Sequence, residues 1–273
     1  MSHRSKPLVI TAFLLALAAA PAFAGIHYKS VTRTEAPSGR GGGDTQAEGW
    51  VDGGKARVDF HSSANPVTKA GSYLITKDGG KTIYLVDPEE KTYAEWDLQA
   101  MMGLAGGIMN GIGPVLKFQF TDPKVEKLLD EDGGTVAGLP TRHVRYRTSY
   151  TLTVKVFGMG SSSDVVTDED IWATQRLSDV GLGVWLRAEP LRTGNEQLDK
   201  MIASGREKIQ GFPLKMTSVS TNTDKKKGKQ TVTRTSMEVT ELDTSASVPA
   251  SSFEIPAGYK ETQMMVSPRG SSR

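Results

Sequence analysis

The chain has 273 residues, with 33 basic and 31 acidic side chains, 29 glycines and no cysteine. The absence of cysteine excludes disulfides, thiolate metal sites, a cysteine nucleophile and lipid attachment through a thiol. Charge so nearly balanced lacks the basic excess of a nucleic-acid binder, so no nucleic-acid partner is expected.

Residues 1–24 read as a secretory signal. His3, Arg4 and Lys6 give a basic start, and residues 8–20 form an apolar run too short to span a bilayer. Ala22-Phe23-Ala24 then supplies the small-x-small cleavage pattern. A periplasmic or secreted protein with a bacterial-type signal is expected, cleaved after Ala24. Removing Arg4 and Lys6 from the 33 basic residues leaves 31, against 31 acidic, so the mature chain is formally neutral. Residues 25–262 are expected to form one domain, followed by a disordered tail over 263–273.

Beyond a glycine-rich, mobile-looking loop at 38–44, short alternating segments separated by glycine turns dominate. Residues 47–60 predict a hairpin turning at Gly53-Gly54, with Ala56, Val58 and Phe60 on one face and Arg57 and Asp59 on the other. Residues 72–96 predict a three-strand meander with turns at 77–80 and 87–90. Leu116, Phe118 and Phe120 alternate with Lys117 and Gln119 as a strand. Residues 122–134 have the look of a short helix, with Asp122 as cap and Pro123 in the first turn. Residues 142–157 predict a long strand or a bent strand pair, with Tyr150, Leu152, Val154 and Val156 on one face. Residues 193–211 carry the clearest helix signal, with capping-box spacing from Thr193 to Glu196 and an apolar stripe of Leu198, Met201, Ile202 and Ile209. The last long segment reads as a hairpin tipped by residues 225–229, and 251–261 closes the domain.

The runs "KARVDF", "YLITKDGGKTIYLVDPEEKTYAEW", "GLPTRHVRY", "DIWAT" and "SSFEIPAGYKE" resemble a bacterial exported family of unknown function. That family is similar in fold to the LolA/LolB lipoprotein carriers and the RseB-type periplasmic sensors. The resemblance implies an α+β, mainly β fold: a strongly curved antiparallel sheet, or half-open β-barrel, with helices covering the concave face. It further implies a non-enzymatic carrier holding a hydrophobic or acylated ligand, a lipid or lipoprotein acyl chain, in that cavity. A structural, interaction or sensor protein of the cell envelope, with a packed core and no ligand, is the alternative.

The segment "MMGLAGGIMNGIG" over 101–113 is uncharged and rich in glycine. At helical spacing Leu98, Met101, Met102, Ala105, Ile108, Met109 and Ile112 share one stripe. Each interior glycine costs a helix about 1 kcal/mol relative to alanine, so tertiary contacts must hold any helix here. Two readings stay open: a core helix packed closely on the sheet, or a mobile lid whose methionines adapt to a hydrophobic guest. Either way Trp96, Leu98, Met101, Met102, Leu104, Ala105, Ile108, Met109 and Ile112 are the expected ligand contacts.

Other motifs point to plainer roles. His27, His61 and His143 lack partners at metal-ligand helical spacing, so structural or surface roles are expected, with no metal and no cofactor. The acidic triplets at 130–132 and 168–170 lack the spacing of a calcium loop and read as solvated turns. "GRGGGD" and "GMGSSSD" lack the lysine of a phosphate loop and read as connectors. No nucleophile, base and oxyanion constellation exists, so no enzymatic activity is expected. Trp50, Trp96, Trp172 and Trp185 are expected in core or rim packing. Lys225, Lys226, Lys227 and Lys229 read as a solvated hairpin tip, with peripheral contact to anionic head groups as the alternative. A hydrophobic small molecule or lipid, or another envelope protein, is the expected partner.

Overall fold

The computed structural model describes residues 25–37, 42–63, 68–95, 116–157, 159–177, 196, 199–200, 203–204, 208 and 210–262. The strands are β1 (Gly25–Glu35), β2 (Gly43–Asp52), β3 (Lys55–Ser62), β4 (Tyr73–Thr76), β5 (Tyr84–Asp87) and β6 (Thr92–Glu95). They continue with β7 (Leu116–Val136), β8 (Leu139–Val156), β9 (Met159–Thr174), β10 (Phe212–Asp224), β11 (Gln230–Ala246) and β12 (Lys260–Glu261). All belong to one sheet in the order β12-β6-β5-β4-β3-β2-β1-β11-β10-β9-β8-β7. The sheet is curved and not closed. It consists of two sequential meanders joined where β1 pairs with β11, and only β12 adds in parallel, against β6.

The turns follow their residue types. Gly53 takes φ +58 between β2 and β3, and Gly79 and Gly80 take φ +73 and +84 between β4 and β5. The Asp87 carboxylate accepts from the N–H groups of Glu89 and Glu90, closing the β5–β6 turn. Ala137 and Gly138, at φ +46 and +79, form a two-residue turn that matches strand twist between β7 and β8. The predicted hairpin at 47–60, the meander, the long strand β8 and the β10–β11 hairpin are all present.

Three expectations are corrected. Residues 122–134 belong to β7 and are not helical. Asp122 adopts φ +56 where the β7–β8 register shifts between Thr121 and Lys124. Pro123 therefore sits in a bulge, where its missing N–H costs no ladder bond. Further along, β7 is matched by basic residues of β8, with Glu126 opposite Arg147 and Asp132 opposite Arg142. Residues 159–164, read as a connector, open strand β9. Both acidic triplets lie inside strands rather than in turns. The long strand β1, for which the sequence offers no clean alternation, lies near the centre of the sheet.

The expected helical cover has limited expression here. Glu196, Asp199, Lys200, Ala203 and Ser204 are helical, within the segment predicted as a capped helix. Among the described residues no helix covers the concave face. Residues 1–24, read as a signal, and 263–273, read as a tail, lie outside the described residues.

Candidate functional site

Register defines which side chains share a face. Ile26 lies opposite Val51, and Val51 opposite Ala56. Tyr28 lies opposite Gly49, Gly49 opposite Val58, and Val58 opposite Leu74. These buried residues make one face apolar across β1 to β4. The same face continues through Val239 of β11 and Leu214 of β10, with Leu177 and Phe212 completing the cluster. Tyr28 meets Phe212 edge to face at 5.7 Å. Farther out, Phe120 lies 5.8 Å from Tyr150, and Val165 is buried opposite Tyr150. Burial pushes the Tyr150 phenol upward in pKa.

Lys208 reaches onto this face and is 7% exposed at its side chain. Its ammonium donates to Glu169 at 2.6 Å and to Thr148 at 2.7 Å. A recess lined by Ala56, Val58, Leu74, Thr76 and Ile83 opens on the same face, with a volume of about 10 Å³. That is room for about one water molecule.

The opposite face divides in two. Over the first meander, Tyr73, Ile75 and Val86 are covered by Ile255 and Tyr259 of the C-terminal segment. The Arg57 guanidinium stacks 3.9 Å from the Tyr73 ring centre, is bound twice by Asp59 and donates to the Ser252 carbonyl. Covered on both sides, β4 is buried at all four residues, which explains why "YLIT" reads as a continuous rather than alternating strand.

Over β7 to β10 the opposite face is ionic. His143 stacks on Trp172, and Lys215 lies 4.9 Å from the far ring. His143 is held by Asp170 at 2.6 Å and Glu131 at 3.4 Å. Arg145 donates to Asp170, and Arg147 grips Asp168 with two bonds of 2.7 Å. The Arg147 bonds hold the Asp168 carboxyl below its ordinary range, against partial burial. On the other side of the sheet, where Asp130 lies opposite Val144, bonds from Lys127 and Arg142 do the same for its carboxyl. A second histidine pair shares Glu48, with His27 at 2.7 Å and His61 at 2.8 Å.

The expected ligand contacts at 96–112 lie outside the described residues, as does Trp185. Trp50 packs in a stack with His27, and Trp172 with His143, as rim rather than cage residues. The lysines at 225–227 and 229 stand exposed at the β10–β11 tip, where the Asp224 carboxylate accepts from the N–H groups of Lys226 and Lys227. Sequence reading missed the ionic face entirely. Its only signal was the alternation Arg145-x-Arg147 against Asp168-x-Asp170.

Residues 158–259 match the model of a family described as a domain of unknown function (DUF4412). The match takes in "DIWAT" and most of "SSFEIPAGYKE", but not the first meander. No curated protein matches the chain in sequence. A solved structure of a DUF1329 family protein from Desulfovibrio piger is similar at 7% identity and a TM-score of 0.32, covering 86% of this chain and 91% of that one. A structure of PNGF-II is similar at 11% identity and a TM-score of 0.32, covering 88% of this chain and 31% of that one. Likeness this distant decides neither ligand nor activity.

Proposed function

We propose that this chain is a non-enzymatic binding protein that holds a hydrophobic or acylated ligand against the apolar face of its sheet, as the LolA/LolB-like resemblance implies. One observation carries the reading: an unclosed sheet keeps one face largely apolar from Leu74 to Phe120, with the Lys208–Glu169 and Arg142–Asp130 pairs set into it, while His143, Arg145 and Arg147 meet Asp168 and Asp170 on the other. Such sorting leaves a greasy surface that must be covered by the protein's own chain or by a guest. The uncharged segment at 101–113 supplies adaptable methionines for that purpose in sequence. On this reading the signal sequence delivers the protein to the periplasm or the exterior. Native mass spectrometry of protein purified from its host tests it. Bound lipid, or a thermal shift on adding acyl ligands, is the expected result; repeated absence of both sinks the proposal.

A second reading, an envelope interaction or sensor protein with a packed core, is favoured by the small volume of the recess beside Val58 and Leu74. The same experiment separates the two, since a packed core takes up no acyl chain.

A further inference from the structure

We propose that the end of the sheet bearing the β8–β9 and β10–β11 tips docks on an anionic lipid bilayer, Phe157 and Met159 entering the interface and a lysine collar resting on the head groups. This does not depend on whether the apolar face holds a ligand.

Phe157 and Met159 are 72% and 77% exposed, and Val156 beside them is exposed as well. Val156 pairs directly with Met159, so these residues are the very tip of the hairpin. Turn positions ordinarily take glycine, asparagine or aspartate. Phe157 instead holds φ +49, a left-handed conformation that a bulky side chain adopts at a cost. The ring is therefore not there to make the turn. The strands behind it pair without a break from Arg142 and Ala173 outward, so the tip is presented on a stiff arm.

The lysines sit at a fitting depth. The Lys225 N–H donates to the Ser162 carbonyl at 2.9 Å, which sets the β10–β11 turn beside β9 three residues short of Met159. At about 3.3 Å per residue the apolar tip projects about 10 Å past that collar. Interfacial apolar groups bury to about 5–10 Å when their cationic neighbours meet the head groups. Lys155, Lys225, Lys226, Lys227 and Lys229 all face solvent here. Of the two nearby carboxylates, Asp224 is engaged in its own turn and Asp164 pairs with Lys225 at 3.0 Å. Lys155, Lys226, Lys227 and Lys229 have no carboxylate partner among the described residues. Two or three apolar side chains on a narrow tip fall far short of the roughly 800 Å² per partner of a stable protein interface. A membrane needs no such area, because insertion and head-group attraction add residue by residue.

The test is co-sedimentation of the full-length protein with phosphatidylcholine vesicles, with and without phosphatidylglycerol. Retention on the doped vesicles, weakening as salt rises, is expected, and little on the neutral ones. The triple variant Lys226→Gln, Lys227→Gln, Lys229→Gln and the double variant Phe157→Ser, Met159→Ser should each lose about tenfold or more in partitioning. Both keep the wild-type melting temperature, because the altered side chains are exposed. A Phe157→Trp variant should gain an indole signal quenched by brominated lipid in doped vesicles. No retention on doped vesicles, an unchanged double variant, or an unquenched indole overturns the proposal.

Discussion

His143 and Trp172 lie face to face, ring centres 4.1 Å apart and planes within 6°, though 29 positions separate them along the chain. The pair is the pivot of the ionic face: carboxylates hold the imidazole, Lys215 covers the indole, and Gly133 of β7 approaches closely enough that a side chain there would strike Trp172. Trp172→Ala should cost about 2 kcal/mol in urea unfolding, below the value for a fully buried tryptophan because the ring is only partly buried. A loss under about 0.5 kcal/mol would mean that the stack is decorative.

Acid should weaken the protein through carboxylates on both faces. Asp168 is held low by the Arg147 bonds and then by the charges of Arg147 and Arg145, and Asp130 by Lys127 and Arg142. A carboxylate whose folded value lies below its unfolded one contributes stability above the unfolded value and loses it as pH falls through the folded one. The melting temperature should therefore hold near neutrality and drop below about pH 4. Arg147→Gln should flatten part of that drop. A melting temperature that climbs on acidification would contradict the argument.

Gly49 permits the most intimate contact of the core. A methyl group added there would fall inside the Tyr28 ring, 2.6 Å from its hydroxyl oxygen. The ring thus lies across the glycine of the neighbouring strand, with which Tyr28 is directly paired. Gly49→Ala should cost about 2–3 kcal/mol by overpacking. Tyr28→Ala, Gly49→Ala together should show strong coupling in a thermodynamic cycle, and strict additivity would refute the contact.

Lys208 offers a sharper energetic test. Lys208→Ala strands the Glu169 carboxylate on the apolar face and should cost about 3 kcal/mol. Lys208→Met with Glu169→Leu should recover much of that loss. If the double variant is as unstable as the single, the ion pair contributes more than its burial takes away.

The two-residue period and the glycine turns made the hairpins legible, because each local signal agreed with the tertiary result. The 122–134 segment failed for a definite reason. Asp-Pro followed by charged residues is equally compatible with a helix start and with a bulged strand, and only the basic side chains of β8 decide between them. Strand β9 was hidden by its serine-rich start, whose hydroxyls bond across strands, Ser162 to Thr153 among them. The ionic face left only the alternation of Arg145-x-Arg147 and Asp168-x-Asp170 in the sequence, since Arg145 meets Asp170 only once the register of the β8–β9 hairpin is fixed. The ligand contacts expected at 96–112 stay a sequence-based expectation.

The pairing of β1 with β11 has a consequence for how the molecule is made. Thr240 bonds the Lys29 carbonyl across 211 positions of sequence. Biosynthesis runs in one direction, so the first strand to emerge waits, one flank bare, for almost the last. During that interval a nascent chain carries an unzipped border in the middle of its future sheet, the kind of surface on which strands of other chains nucleate. Closure of that border therefore waits until β11 has been made.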